Sequence, residues 1–133
     1  MIHYVTGLMF SKDMQKVLLI KKLKPDWQYG RFNGLGGKVE ENESNAQAIS
    51  REFCEECGIK TQIDDWQEII NITSPHEYQV SFLYTRSDNI FKAQTLEQEP
   101  VQIFDIQKLP EQIIDNLPWI ISLCLSQKII IEI

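Results

Sequence analysis

Between Ser44 and Gly58 the chain carries its most sharply bounded element. Ser44 is a favoured helix-opening residue, and Gln47 three residues later completes a capping box, Ser44-Asn45-Ala46-Gln47. Ala46, Ile49, Phe53 and Cys57 recur at i, i+3, i+7 and i+11 and make one apolar stripe. Gly58 stands where a left-handed residue commonly ends a helix. The spacing predicts an amphipathic helix over residues 45–57, and such a helix must lay its stripe on another element. Ile2 to Phe10, Lys16 to Lys22, Trp66 to Thr73 and Tyr78 to Thr85 read as strands, the last with Tyr78, Val80, Phe82 and Tyr84 alternating. Pro100 to Ile106 adds a short strand, and Leu109-Pro110 opens a final helical region holding Trp119, Ile120, Leu123 and Cys124. Leu23 to Asn33 reads as a loop, followed by the glycine-rich Gly34-Leu35-Gly36-Gly37. Strands around one central and one terminal helix predict an α/β or α+β class with a mixed sheet.

At 133 residues the chain fits a single domain, 1–133, with one substantial core. Thirteen Lys and Arg against nineteen Asp and Glu leave a formal charge of −6 without a basic stripe, which disfavours duplex nucleic acid as a partner. Cys54, Cys57 and Cys124 cannot all pair internally, so free thiols in a reducing compartment are expected. Met1-Ile2-His3-Tyr4 lacks the charged start and long apolar run of a signal peptide, and Leu117 to Leu125 is too short to span a bilayer. The expectation is a cytoplasmic protein with no membrane partner. The apolar tail Ile129-Ile130-Ile131 would suit a dimer contact, leaving monomer and homodimer both open.

Glu52, Glu55 and Glu56 stand at i, i+3 and i+4 and share one helix face. Like charges at these spacings cost about 0.2–0.5 kcal/mol per pair. In the last turns of a helix the macrodipole adds about 0.3–1 kcal/mol against each anion. A divalent cation would relieve these costs, because hard oxygen ligands suit Mg²⁺; a solvated acidic face is the alternative. Arg51 can also pair with Glu55 at i+4. The glycine run is neither a P-loop, since Val39 follows Lys38, nor a dinucleotide fingerprint, since Val39 replaces the third glycine. It reads as a tight turn or as the border of a cleft.

Taken together, Gly37, Glu43 and Arg51-Glu52-Phe53-Cys54-Glu55-Glu56-Cys57-Gly58-Ile59 resemble the Nudix box over residues 37–59. The resemblance implies an α/β/α sandwich around a mixed sheet and a Mg²⁺-dependent hydrolase, with Mn²⁺ as a substitute. It also implies that Glu52, Glu55, Glu56 and the Gly36 carbonyl hold the metal, and that Glu52 or a neighbour activates water. Arg51 and Glu43 would then hold the loop against the helix. A further acidic ligand or base is expected from a later loop, with Glu99 ahead of Glu97.

Asn33-Gly34-Leu35-Gly36-Gly37-Lys38-Val39 resembles the loop of the MutT-like and 8-oxo-purine nucleoside triphosphate diphosphatases. By that likeness Asn33 contacts the base and Lys38 lies near the phosphates. Asp115 and Asn116 fall where such enzymes place more base-reading groups, although Asn116 also suits a helix cap. Trp27 and Tyr29 would stack on a base or cover one end of the core. Lys21, Lys22 and Lys24 would steer a polyphosphate or simply be solvated. His3 and His76 read as structural, and Cys57 as core packing. The expected activity is cleavage of a nucleoside triphosphate to a monophosphate and pyrophosphate. ADP-ribose, a dinucleoside polyphosphate, and a non-catalytic nucleotide sensor are the alternatives.

Overall fold

The computed structural model describes residues 1–126. Among the described residues seven strands form one mixed sheet: β1 (Ile2–Phe10), β2 (Lys16–Lys21), β3 (Phe32–Asn33), β4 (Leu35–Lys38), β5 (Gln67–Ser74), β6 (Tyr78–Arg86) and β7 (Val101–Asp105). Helix α1 spans Asn45–Cys57 and α2 spans Leu117–Leu125. The main path of the sheet runs β3-β2-β1-β6-β5, with β4 pairing to β1 and β7 to β2. β1 and β6 pair in parallel from Ile2 opposite Tyr78 to Phe10 opposite Arg86, and the other pairings are antiparallel.

Strand alternation divides the core in two. Val5, Met9, Leu18 and Ile20 point to one face, where they meet Ile49, Phe53 and Cys57 of α1. Leu8, Phe10, Val17, Leu19 and Phe82 point to the other, where they meet Leu117, Ile120, Ile121 and Cys124 of α2. The molecule is therefore the layered α/β/α arrangement that was expected. Phe53 is fully buried and packs edge-on to Trp66, with ring centroids 4.8 Å apart. α1 comes so close to β1 that a β-carbon on Gly7 would lie 2.5 Å from Ile49 Cγ1.

The helix ends follow the sequence. Ser44 Oγ accepts from Gln47 N at 3.1 Å, and Ser44 N donates to Gln47 Oε1 at 2.7 Å. Gly58 closes α1 in the left-handed region at φ 78°.

Three expectations change. The glycine run is not a tight turn but a strand that borders the cleft: Leu35–Lys38 pairs with Gly7 to Tyr4 of β1. Strand propensity is poor for glycine, but the position demands it, since a β-carbon on Gly36 would overlap the Val5 carbonyl oxygen. Leu23 to Asn33 is not all loop, because Asp26–Gln28 forms a 3-10 turn and Phe32–Asn33 pairs with β2. The last helix begins at Leu117 rather than near Pro110; the stretch before it bridges Ile113 to Phe32 instead. The tail Ile129 to Ile133, with its suggested dimer contact, lies outside the described residues.

Candidate active site

The C-terminal half of α1 carries the acidic residues, and one arginine organises them. Arg51 Nε and Nη2 donate to the two oxygens of Glu43 at 2.8 and 2.9 Å. Nη2 also donates to the Lys38 carbonyl at 3.0 Å, while Nη1 reaches Glu52 at 2.9 Å and Glu55 at 3.4 Å. The expected i+4 pairing and the expected loop-to-helix tie are thus made by a single guanidinium. The Arg51 hydrogen bond holds the Glu43 carboxyl below its ordinary value.

The glutamates occupy unequal environments. The Glu55 side chain is half exposed and that of Glu52 largely buried. Glu56 is buried, and its Oε2 has no hydrogen-bond partner among the described residues. Burial raises the proton affinity of Glu56, and a hydrogen bond with Glu52 and the charges of Glu52 and Glu97 add to it; Lys22 acts in the opposite direction. Across from these groups, a β-carbon on Gly37 would overlap the Glu52 carboxylate. The wall of the site at Gly37 is therefore backbone alone.

The loop before β7 straps the end of α1. Gln94 N donates to the Cys57 carbonyl at 3.1 Å and Leu96 N to the Glu56 carbonyl at 3.3 Å, partnering carbonyls that a helix end leaves free. This strap brings the Glu97 charge to bear on Glu56. Glu99 is engaged elsewhere: it accepts from Lys22 Nζ at 3.0 Å and from Leu23 N at 2.6 Å. Burial alone would raise the Glu99 pKa, but these donors and the Lys22 charge outweigh it and lower it. Of the two late carboxylates, Glu97 adds its charge to the surroundings of Glu56, while Glu99 is held by Lys22 and the Leu23 backbone.

Among the described residues no three or more His, Cys, Asp or Glu side chains are gathered as a ready-made metal cage. The donors nevertheless fit a hard divalent cation. Glu56 Oε2 is a buried oxygen without a partner, and the adjacent Glu52 raises the cost of ionising it. Arg51 supplies the positive charge that Glu52 and Glu55 face in this arrangement.

A cleft of about 330 Å³ opens on the α2 side of the sheet and reaches Gly36 and Gly37. Its floor is Tyr4 and Thr6 of β1 with Val80 and Phe82 of β6, and Ile72 and Ile114 flank it. Asn33, Asn116, Trp27 and Lys22 also line it. Trp27 is 63% exposed, so it rims the cleft rather than covering the core. Tyr29 is as exposed and lies outside the lining. Asn116 occupies the position before α2 without making a capping hydrogen bond, which leaves its amide to the cleft. Asp115 points away, its side chain 93% exposed and paired with Arg31 at 3.5 Å. Lys38 is exposed and outside the lining, as are Lys21 and Lys24.

His3 Nε2 bonds Ser81 Oγ at 2.8 Å and His76 sits in a left-handed turn at φ 67°, so both have structural partners or places. The cysteines are free; Cys57 and Cys124 are buried and Cys54 is exposed. The sequence reading missed Tyr4, Thr6, Val80 and Phe82 as cleft residues, and Gln28 beside Asn33. The alternation of Val80 and Phe82 was visible, but which face they line depends on the pairing with β1.

A family model described as NUDIX domain matches residues 1–121. The chain is 34% identical over 113 residues to the "Oxidized purine nucleoside triphosphate hydrolase" of Danio rerio, covering 78% of this chain and 69% of that protein. Among solved structures it is similar to a MutT from work on the Aliivibrio salmonicida and Vibrio cholerae proteins. That likeness has a TM-score of 0.72 at 26% identity, covering 94% of this chain and 98% of that one. A MutT NUDIX hydrolase from Burkholderia pseudomallei shares the fold at a TM-score of 0.73 and 17% identity, with 91% and 95% covered.

Proposed function

The chain belongs to the Nudix family, and on that premise we propose that it hydrolyses a nucleoside triphosphate to a monophosphate and pyrophosphate. The observation that carries this reading is the continuity of the site. One cleft runs from the Asn33 and Asn116 amides to Gly36 and Gly37, and on the far side of Gly37 lies the Glu52 carboxylate. A nucleotide would place its base at the amide end and its phosphates over the glycine backbone, beside the acids.

The residues divide the work. Asn33 and Asn116 supply both donors and acceptors to a base edge, and Trp27 offers a stacking surface. Lys22 lends positive charge to the polyphosphate at the cleft wall. Glu52, Glu55, Glu56 and the Gly36 carbonyl would hold Mg²⁺ or Mn²⁺, with Glu99 or Glu97 as the candidate late-loop carboxylate. When bound, such an ion neutralises phosphate oxygens and makes water a stronger nucleophile. Water adds to a phosphorus of the α–β bridge, the bond from that phosphorus to the bridging oxygen breaks, and a carboxylate among Glu52 and Glu56 takes the proton. Arg51 and Glu43 fix the helix against the glycine strand during this step.

The test is pyrophosphate release with and without Mg²⁺ over common and 8-oxo nucleoside triphosphates, ADP-ribose and diadenosine polyphosphates. Cation-dependent pyrophosphate from a triphosphate is expected, and E55Q or E56Q should lower it at least about 100-fold while leaving the circular dichroism unchanged. Turnover confined to ADP-ribose or dinucleotides would overturn the substrate assignment. Full activity in both variants would overturn the assignment of the acids.

A further inference from the structure

Asn33 does not stand alone at the base end of the cleft. Its Oδ1 accepts from the Gly34 backbone N–H at 2.8 Å, and its Nδ2 donates to Gln28 Oε1 at 3.1 Å. A backbone N–H can only donate, so the Asn33 carboxamide cannot be turned over without setting donor against donor. The same reasoning then fixes Gln28, whose oxygen must face Asn33. The polarity runs one way, from Gly34 N–H through Asn33 to Gln28, and it ends on the Gln28 Nε2 amino group. That group donates to no acceptor among the described residues, and Gln28 lines the cleft.

The backbone of Gln28 is held as well. Gln28 N donates to the Pro25 carbonyl at 2.9 Å, and its own carbonyl accepts from Arg31 N at 2.9 Å. A side chain with a fixed root, a fixed amide direction and uncommitted N–H groups beside a cleft is suited to reading a ligand. We propose that Gln28 is a specificity-determining residue, donating from Nε2 to a carbonyl oxygen of the base, so that the site favours oxo-purine nucleotides over amino-purine ones. Asn33 sets the direction of the donor and Gln28 delivers it. The inference rests on the nucleotide reading above and names its substrate class more closely.

Q28E is the discriminating substitution. It keeps an oxygen to receive Asn33 Nδ2 and removes the terminal donor. Q28L removes both. Dissociation constants for GMP, 8-oxo-GMP and AMP, measured by calorimetry, report binding independently of turnover, and thermal melts of both variants report folding. The wild type is expected to prefer the two carbonyl-rich nucleotides, and Q28E to reduce that preference over AMP about tenfold, the scale of one lost hydrogen bond. Q28L should reduce it similarly and weaken all three ligands further, because Asn33 loses its acceptor. Any uniform effect of the new carboxylate on the phosphate cancels in the ratio. A preference unchanged in Q28E, or absent in a wild type that binds all three, overturns the role of Gln28 alone. A wild type that binds none of them overturns the nucleotide reading and this inference together.

Discussion

Glu56 shows how much the site costs its own fold. Its carboxyl is buried at the end of a helix, beside Glu52, with one oxygen lacking a partner. A carboxyl whose proton affinity rises on folding stabilises the protein below its unfolded titration point, here 4.5, and that contribution is lost as the pH rises above it. In a chelator, E56Q is therefore expected to melt above the wild type by a margin that grows from about pH 5 to about pH 8, at about 4 °C per kcal/mol. Adding Mg²⁺ should raise the wild type and close the gap. A margin flat across pH would mean that Glu56 ionises at no cost. At this scale the acids, Arg51 and Asn33 were legible because their spacing along one helix or beside one glycine run is local. Gln28 was not, since its meaning depends on two hydrogen bonds made across a turn. Nor does the sequence reveal that Lys22 and Leu23 N engage Glu99, or that the Glu97 charge acts on Glu56.

Among elements, α1 and β4 act as a pair. Arg51 ties the helix to the strand through the Lys38 carbonyl, and Gly37 lets the strand pass the Glu52 carboxylate without a side chain between them. G37A is expected to push Glu52 aside and to lower kcat about 100-fold, the effect of a misplacement near 1 Å. Activity assays beside circular dichroism would check it, and a near-normal kcat would show that the contact tolerates a methyl group. Helix α1 could be read to the residue from its caps, and β1, β2, β5, β6 and β7 to within two residues at each end. β4 escaped because its glycines argue for a turn unless the approach of Val5 is known. The late start of α2 escaped because Leu109-Pro110 resembles a helix opening, whereas Ile113 is committed to a bridge with Phe32.

For the molecule as a whole, two apolar clusters grip the sheet from opposite faces, and the cleft lies on the face opposite the acids. Gly36 and Gly37 are where the cleft comes nearest to those acids, since a β-carbon on Gly37 would already meet the Glu52 carboxylate. The layering was predictable from element order, but the strand neighbours were not, because hydrophobic alternation sets a face and leaves the partner open. Among the described residues no helix is long and apolar enough to cross a membrane. The parallel match of β1 to β6 sets Ile2 against Tyr78 and Phe10 against Arg86. During synthesis the first strand must wait for the sixth to leave the ribosome before the middle of the sheet can close, while α1 and its acids are already exposed. Contacts so distant in sequence fold slowly, so a fragment ending at residue 77 is expected to show no native-like amide dispersion by NMR. Until that last partner of the first strand arrives, the sheet on which α1 rests lacks its central parallel pairing, and a half-made chain holds the acids on a helix with no finished sheet beneath it.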